Sequence, residues 1–204
     1  MCGGLLFHNI LNKVIKVSSC WARQYETSIC SSKRSETRQL PVDNSDSTWI
    51  VLSTDGAVDR GSGHAAFGGV IRNRDGTWIL GYTCFLGVCS PFEAEVWAIL
   101  DGILISLAKG YRRVIIQTDN LEVAQILSDL RLEESGIAVL QRTQRIMKTE
   151  GNWQIRHIPI SQNLAADCLA KLSLSWKINL QILNEAPKEI RILLQEEKDN
   201  GWLL

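Results

Sequence analysis

The chain has 204 residues, with 22 basic and 22 acidic side chains, 45% apolar and 22% charged residues, 4 prolines and 6 cysteines. That length suits one domain of roughly 100 to 200 residues with a short appendage, and the apolar fraction excludes a mainly disordered chain. No run of about 18 apolar residues is free of charged or strongly polar interruption, which excludes a membrane-spanning helix. A formal net charge of zero leaves any attraction for phosphates to local patches.

The cysteines are Cys2, Cys20, Cys30, Cys84, Cys89 and Cys168. None forms a Cys-x-x-Cys pair or has a histidine at zinc-ligand spacing, which argues against a structural zinc. With no basic start leading into an apolar core and a small-residue cleavage site, the expectation is an intracellular chain with reduced thiols, in nucleus or cytoplasm. Residues 1–47 read as a poorly ordered leader: Ser28 to Ser47 is polar, and Ile10 to Val17 is the one short stretch able to form a helix or strand. Lys13, Lys16 and Arg23 give this leader a weak transit-peptide character. A domain over 48–176 and a tail over 177–204 complete the division.

Trp49-Ile-Val-Leu-Ser-Thr-Asp55 reads as a buried strand ending on a polar corner. Strands over His64 to Asn73 and Thr77 to Leu86 flank Arg74-Asp75-Gly76, a hairpin signal. Ser90-Pro91 opens a helix that runs to Lys109 and stops at Gly110. Val114 to Asp119 is a second strand ending on Thr-Asp, and a helical crossover before it makes it parallel to an earlier strand. Helices follow over Leu121 to Leu130 and Ile137 to Thr149, then a strand over Trp153 to Ile158 and a helix over Asn163 to Leu174. The tail holds one short amphipathic helix, Ile190 to Leu194. The whole is an α/β pattern: a three-stranded meander, then two parallel strands, giving a five-stranded mixed sheet flanked by helices.

Acids stand at the informative ends. If the strands closing on Asp55 and Asp119 are neighbours, their carboxylates meet at one sheet edge, where charges about 5 Å apart repel by roughly 3 kcal/mol at an effective dielectric of about 20. A divalent cation offsets that repulsion. Glu95 shares a helix face with Ala98 and Gly102, small residues that permit close approach to the sheet, whereas Glu93 and Asp101 read as solvated. Asp167 sits beside Ala170 on a similar face. The plainer alternatives are a turn at Asp55-Gly56 and an N-cap at Asp119.

Ser53-Thr-Asp55-Gly-Ala57, Gly68-Gly-Val-Ile-Arg72, Glu93-Ala-Glu95-Val-Trp-Ala98, Gln117-Thr-Asp119-Asn120 and Asn163-Leu-Ala-Ala-Asp167-Cys-Leu-Ala-Lys171 together resemble type 1 ribonuclease H, in its plant retroelement-derived branch. The resemblance covers about residues 49 to 175. It implies a ribonuclease H-like fold, cleavage of the RNA strand of RNA/DNA hybrids with two Mg²⁺ ions (Mn²⁺ as a substitute), and Asp55, Glu95, Asp119 and Asp167 as catalytic metal ligands. His157 stands near a position where some members carry a histidine that assists proton transfer; a half-buried structural role is the alternative. The loop Pro159-Ile-Ser-Gln162 departs from the branch, which has arginine followed by an acid where Ile160 and Ser161 stand.

Nucleic-acid contacts are expected from a few cations: Arg142, Arg145 and Lys148 along one helix, Arg72 with Arg74, and Lys171. Trp97 and Trp153 read as core. The partner expected is an RNA/DNA hybrid or other nucleic acid, with no membrane and a monomeric chain. A catalytically silent, domesticated nucleic-acid-binding module is the rival reading.

Overall fold

The computed structural model describes residues 49–129 and 137–200; the expectations for residues 1–47, with the stretch Ile10 to Val17, and for Leu130 and Gly201 to Leu204 lie outside them. The elements run β1 (Ile50–Val58), β2 (His64–Asn73), β3 (Trp78–Val88), α1 (Pro91–Ala108), β4 (Arg113–Thr118), α2 (Leu121–Ser128), α3 (Ala138–Thr149), β5 (Asn152–His157), α4 (Leu164–Trp176), β6 (Gln181–Leu183) and α5 (Lys188–Asp199). A single turn of 3₁₀ helix, Ile160–Gln162, joins β5 to α4.

One mixed α/β sheet carries them in the order β5-β4-β1-β2-β3-β6. The β1–β2–β3 meander is antiparallel, and β4 and β5 run parallel to β1, as expected. The count of five strands is corrected to six among the described residues, because Gln181–Leu183 pairs antiparallel with Gly81–Thr83 of β3. Three residues are too few to show a period of two. The C-terminal helix is likewise longer than Ile190 to Leu194, spanning Lys188–Asp199.

Alternation along the strands sorts side chains onto two faces. Phe67 and Ile71 of β2 join Ile50, Leu52, Tyr82, Ile99 and Leu140 in a core between the sheet and α1 to α3, with Trp97 and Trp153 packed against it. Val70 faces the other way and packs with Ala165, Leu169 and Ile190 under α4 and α5.

Local chemistry sets the helix ends. Ser90 Oγ accepts from the Glu93 N–H and the Glu93 carboxylate accepts from the Ser90 N–H, a capping box with Pro91 in the first turn. Glu93 therefore serves as a cap. Asp101 is buried, 5% exposed, which corrects its expected solvation. It lies where α3 packs on α1, and its charge acts on Arg142 across that contact.

Candidate metal centre

Residues Thr54 and Thr118 are register partners on the adjacent parallel strands β1 and β4. The next residues, Asp55 and Asp119, consequently emerge side by side at the carboxyl ends of the strands, where open α/β sheets bind ligands. β1 does not stop at Asp55 as the sequence suggested; it continues to Val58. Gly56 is needed there for clearance, since a Cβ on it would lie 2.8 Å from the backbone nitrogen of Glu95. The first turns of α1 thus lie directly on the end of β1. A Cβ on Gly102 would likewise lie 2.3 Å from Tyr82 Oη, so the small-residue face read around Glu95 does meet the sheet.

Carboxylate oxygens of Asp55, Glu95 and Asp119 all lie within 4.8 Å of one another. Asp55 and Glu95 are each 6% exposed. Burial, then repulsion from Glu95, Asp119 and Asp167, pushes the Asp55 carboxyl up from 3.8 to about 9, and a hydrogen bond shared with Asp119 acts in the same direction. Burial and Asp119 push Glu95 up from 4.5 to about 8, against the Gly56 N–H and Thr118, which donate to its carboxylate. Thr118 Oγ1 stands 3.5 Å from Glu95 Oε2.

The N-cap of α2 is Asn120, whose side chain accepts from the Val123 N–H at 3.1 Å. Asp119 is therefore free of the capping role that offered the plainer explanation of it. Asp167, the fourth expected ligand, acts on Asp55 electrostatically but stands outside the cluster of three. Lys171, four residues on, donates to its Oδ2 at 2.7 Å. That hydrogen bond, ahead of the Asp167 charge, raises the Lys171 ammonium.

His157 borders the cluster, with Nε2 3.1 Å from the Asp119 carbonyl oxygen. A carbonyl only accepts, so the ring donates through Nε2 and Nδ1 is its second polar atom. The cations divide. Arg74, Arg145 and Lys148 are exposed, and Arg142 is half-buried against α1. Arg72 is corrected as a phosphate contact: it is 1% exposed, ion-paired with Glu197, and donates to Ser53 Oγ at 2.8 Å. Ile160, in the loop that departs from the expected pattern, is 67% exposed.

Some supporting residues were not singled out from the sequence. Asn163, wholly buried, donates from Nδ2 to the Thr54 carbonyl at 2.9 Å and ties the start of α4 to β1 one residue before Asp55. The sequence marks it only as the start of a helix and of the Asp167 motif, neither of which shows a tie to β1.

This residue set fits hard cations, which take oxygen ligands and offset crowded negative charge. A reverse transcriptase-like family model matches residues 53–173, more than half of the chain. An Arabidopsis thaliana relative bearing the name "Putative ribonuclease H protein" is 27% identical over 151 residues, which is 73% of this chain and 24% of the relative. The chain therefore spans about a quarter of that relative's length. Among solved structures, RNase H1 of the archaeon Halobacterium salinarum superposes with a TM-score of 0.55 at 23% identity, covering 62% of this chain and 98% of its own. The N-terminal RNase H domain of a Mycobacterium tuberculosis protein gives 0.57 at 19%, covering 64% and 96%. LC11-RNase H1, solved in complex with an RNA/DNA hybrid, gives 0.55 at 21%, covering 62% and 97%. The fold and the extent of the family match make this chain a member of the reverse transcriptase-like family with a ribonuclease H-like fold.

Proposed function

We propose that the chain is a metal-dependent endonuclease that hydrolyses the RNA strand of RNA/DNA hybrids. The observation that carries this reading is the convergence of Asp55, Glu95 and Asp119 within 4.8 Å at the carboxyl end of the sheet. Mg²⁺ is the resident cation, with Mn²⁺ as its substitute. Held by these carboxylates, two such ions would supply charge neutralisation for the attacking and leaving oxygens of a phosphodiester.

The protein's own contribution is to hold the ligands. Asp55 and Asp119 are fixed by strand register, Glu95 by the contact of α1 with Gly56, and Asp167 approaches from α4. Asp55 and Glu95, whose raised carboxyls favour the protonated form, would have to release their protons to hold a cation. Asp167 would be the fourth ligand, and Lys171 competes for its Oδ2 through the hydrogen bond of 2.7 Å. His157 offers Nδ1 for a proton at the leaving side. Arg74, Arg145, Lys148 and Lys171, with Arg142 at the border, are the candidate contacts to phosphates. Discrimination for RNA rests on 2′-hydroxyl contacts rather than on base sequence. The chain works as a monomer inside the cell, in nucleus or cytoplasm.

The Lys171–Asp167 pair favours a second reading, a silent hybrid-binding module in which an internal cation has replaced a metal at the fourth carboxylate. Incubation of an RNA/DNA hybrid with the chain in Mg²⁺, then in Mn²⁺, separates the two. Cleavage is expected, abolished in Glu95→Gln and held within a few fold in Glu93→Gln, whose amide preserves the cap. Hybrid binding without cleavage in either ion supports the silent module.

A further inference from the structure

α5 turns a stripe inward at Ile190, Leu193, Leu194 and Glu197, the i, i+3, i+4, i+7 pattern of an amphipathic helix, with Ile190 and Glu197 buried and the two leucines half-buried. Glu197 is 1% exposed. An unpaired carboxylate is not tolerated at such a position, and two partners account for this one. Its Oε2 is ion-paired with Arg72, a guanidinium on β2 that is also 1% exposed. Its Oε1 accepts from the Ala165 N–H at 2.9 Å.

The second bond is the informative one. Ala165 lies in the first turn of α4, whose leading N–H groups lack partners within the helix. Asn163 occupies the N-cap position but makes no capping bond, because its side chain is committed to Thr54 of β1. Glu197 therefore supplies from another helix the acceptor that a local cap would have supplied, and places a negative charge where the α4 dipole favours one. Two residues beyond Ala165 in the chain stands Asp167.

We propose that α5 is a positioning element of the metal site: Glu197 clamps the first turn of α4 to the sheet and thereby holds Asp167 beside Asp55. This deepens the nuclease reading and rests on it for its effect on catalysis. Arg72 keeps the clamp charged and in place. Glu197 itself lies beyond residue 173, where the family match ends.

The test uses the full chain with two double variants. Arg72→Met/Glu197→Gln removes the ion pair but keeps an amide oxygen to accept from Ala165. Arg72→Met/Glu197→Leu removes both, and leaves no buried charge to unfold the protein. Amide exchange is followed at Ala165, Ala166 and Asp167, with thermal melts and hybrid cleavage alongside. In the leucine variant those amides are expected to exchange about tenfold faster, the loss of one charge-assisted bond, with sheet amides unchanged. kcat is expected to fall about tenfold with KM within about twofold, as for a misplaced group that acts in the transition state. The glutamine variant is expected to match wild type in both.

A merely structural role predicts that the two double variants cleave alike, and that result overturns the proposal. Unchanged α4 exchange in the leucine variant overturns it as well. If wild type cleaves nothing in either ion, the nuclease reading fails, and exchange together with Mg²⁺-induced protection at Asp167 still decides the clamp.

Discussion

The N–H of Gly56 donates to the carboxylate of Glu95 while its α-carbon lies under the backbone of the same residue, so close that a methyl group there would stand 2.8 Å from the Glu95 nitrogen. One glycine on β1 thus both orients a metal ligand and sets how near its helix can come. Backbone, unlike a flexible side chain, cannot yield to the added carbon. Gly56→Ala is expected to destabilise the fold by about 1 to 3 kcal/mol through overpacking. It should weaken Mg²⁺ binding as well, because Glu95 moves away from Asp55. Urea denaturation and calorimetric Mg²⁺ titration check both effects; a stable variant with unchanged Mg²⁺ affinity would show that the contact is slack.

Asp119 and Asn120 divide two duties: Asp119 stands in the carboxylate cluster and Asn120 caps α2. Asp119→Asn removes a negative charge that raises both Asp55 and Glu95, so those carboxyls ionise more readily in the folded chain, and the metal-free protein is expected to gain about 1 to 3 kcal/mol at neutral pH and above. The same change should abolish cleavage and most Mg²⁺-induced stabilisation. Asn120→Ala is expected to cost about 1 kcal/mol through loss of the α2 cap, with the Mg²⁺ response intact. Melts of both variants in chelator and in Mg²⁺ decide the matter. A full metal response in Asp119→Asn would falsify the site.

The bare site also gives stability a pH slope of known sign. Asp55 is raised from 3.8 to about 9 and Glu95 from 4.5 to about 8. Between about pH 4 and about pH 8 to 9 the folded chain keeps protons that the unfolded chain has released, so stability falls as pH rises. The contribution is complete below about pH 4 and lost once pH passes the raised values. Urea midpoints in chelator should therefore drop more steeply from pH 5 to pH 9 for wild type than for Asp119→Asn, which shares every other titrating group. Saturating Mg²⁺ should flatten the slope. Equal slopes in the two proteins would mean that the carboxylates do not feel one another.

Much of this was legible in the sequence because it is local or periodic. Ser90, Pro91 and Glu93 announce α1 within four positions, and Thr-Asp at the ends of two apolar strands announces Asp55 and Asp119 once β1 and β4 are taken as neighbours. Arg72 misled because a lone arginine on a strand looks the same whether it meets solvent or a buried acid 125 positions away. Asp101 misled for a similar reason: its burial depends on α3 lying across α1. β6 is too short to carry a pattern, and the chain comes back to β3 after α4 ends at Lys177, in the left-handed conformation with φ 53°. Lys171 stands one turn after Asp167, so their pairing was within reach of helix spacing, yet the lysine was read toward phosphate rather than toward its neighbour.

Along α1, three contacts succeed one another at fixed intervals. Glu95 meets Gly56, the Ala98 carbonyl accepts from Tyr82 Oη at 2.8 Å, and Gly102 faces the same tyrosine. The helix is indexed against the sheet like a key cut at three depths. Adding or deleting one residue between Glu95 and Gly102 would turn one end by about 100° relative to the other, so that either the acid or the tyrosine seat leaves its place. The same change at the exposed Lys109 or Gly110 would disturb the C-terminal cap of α1 and leave the register of the three contacts in place. Tolerance of length variation should accordingly be lowest between Glu95 and Gly102 and greater at the helix end.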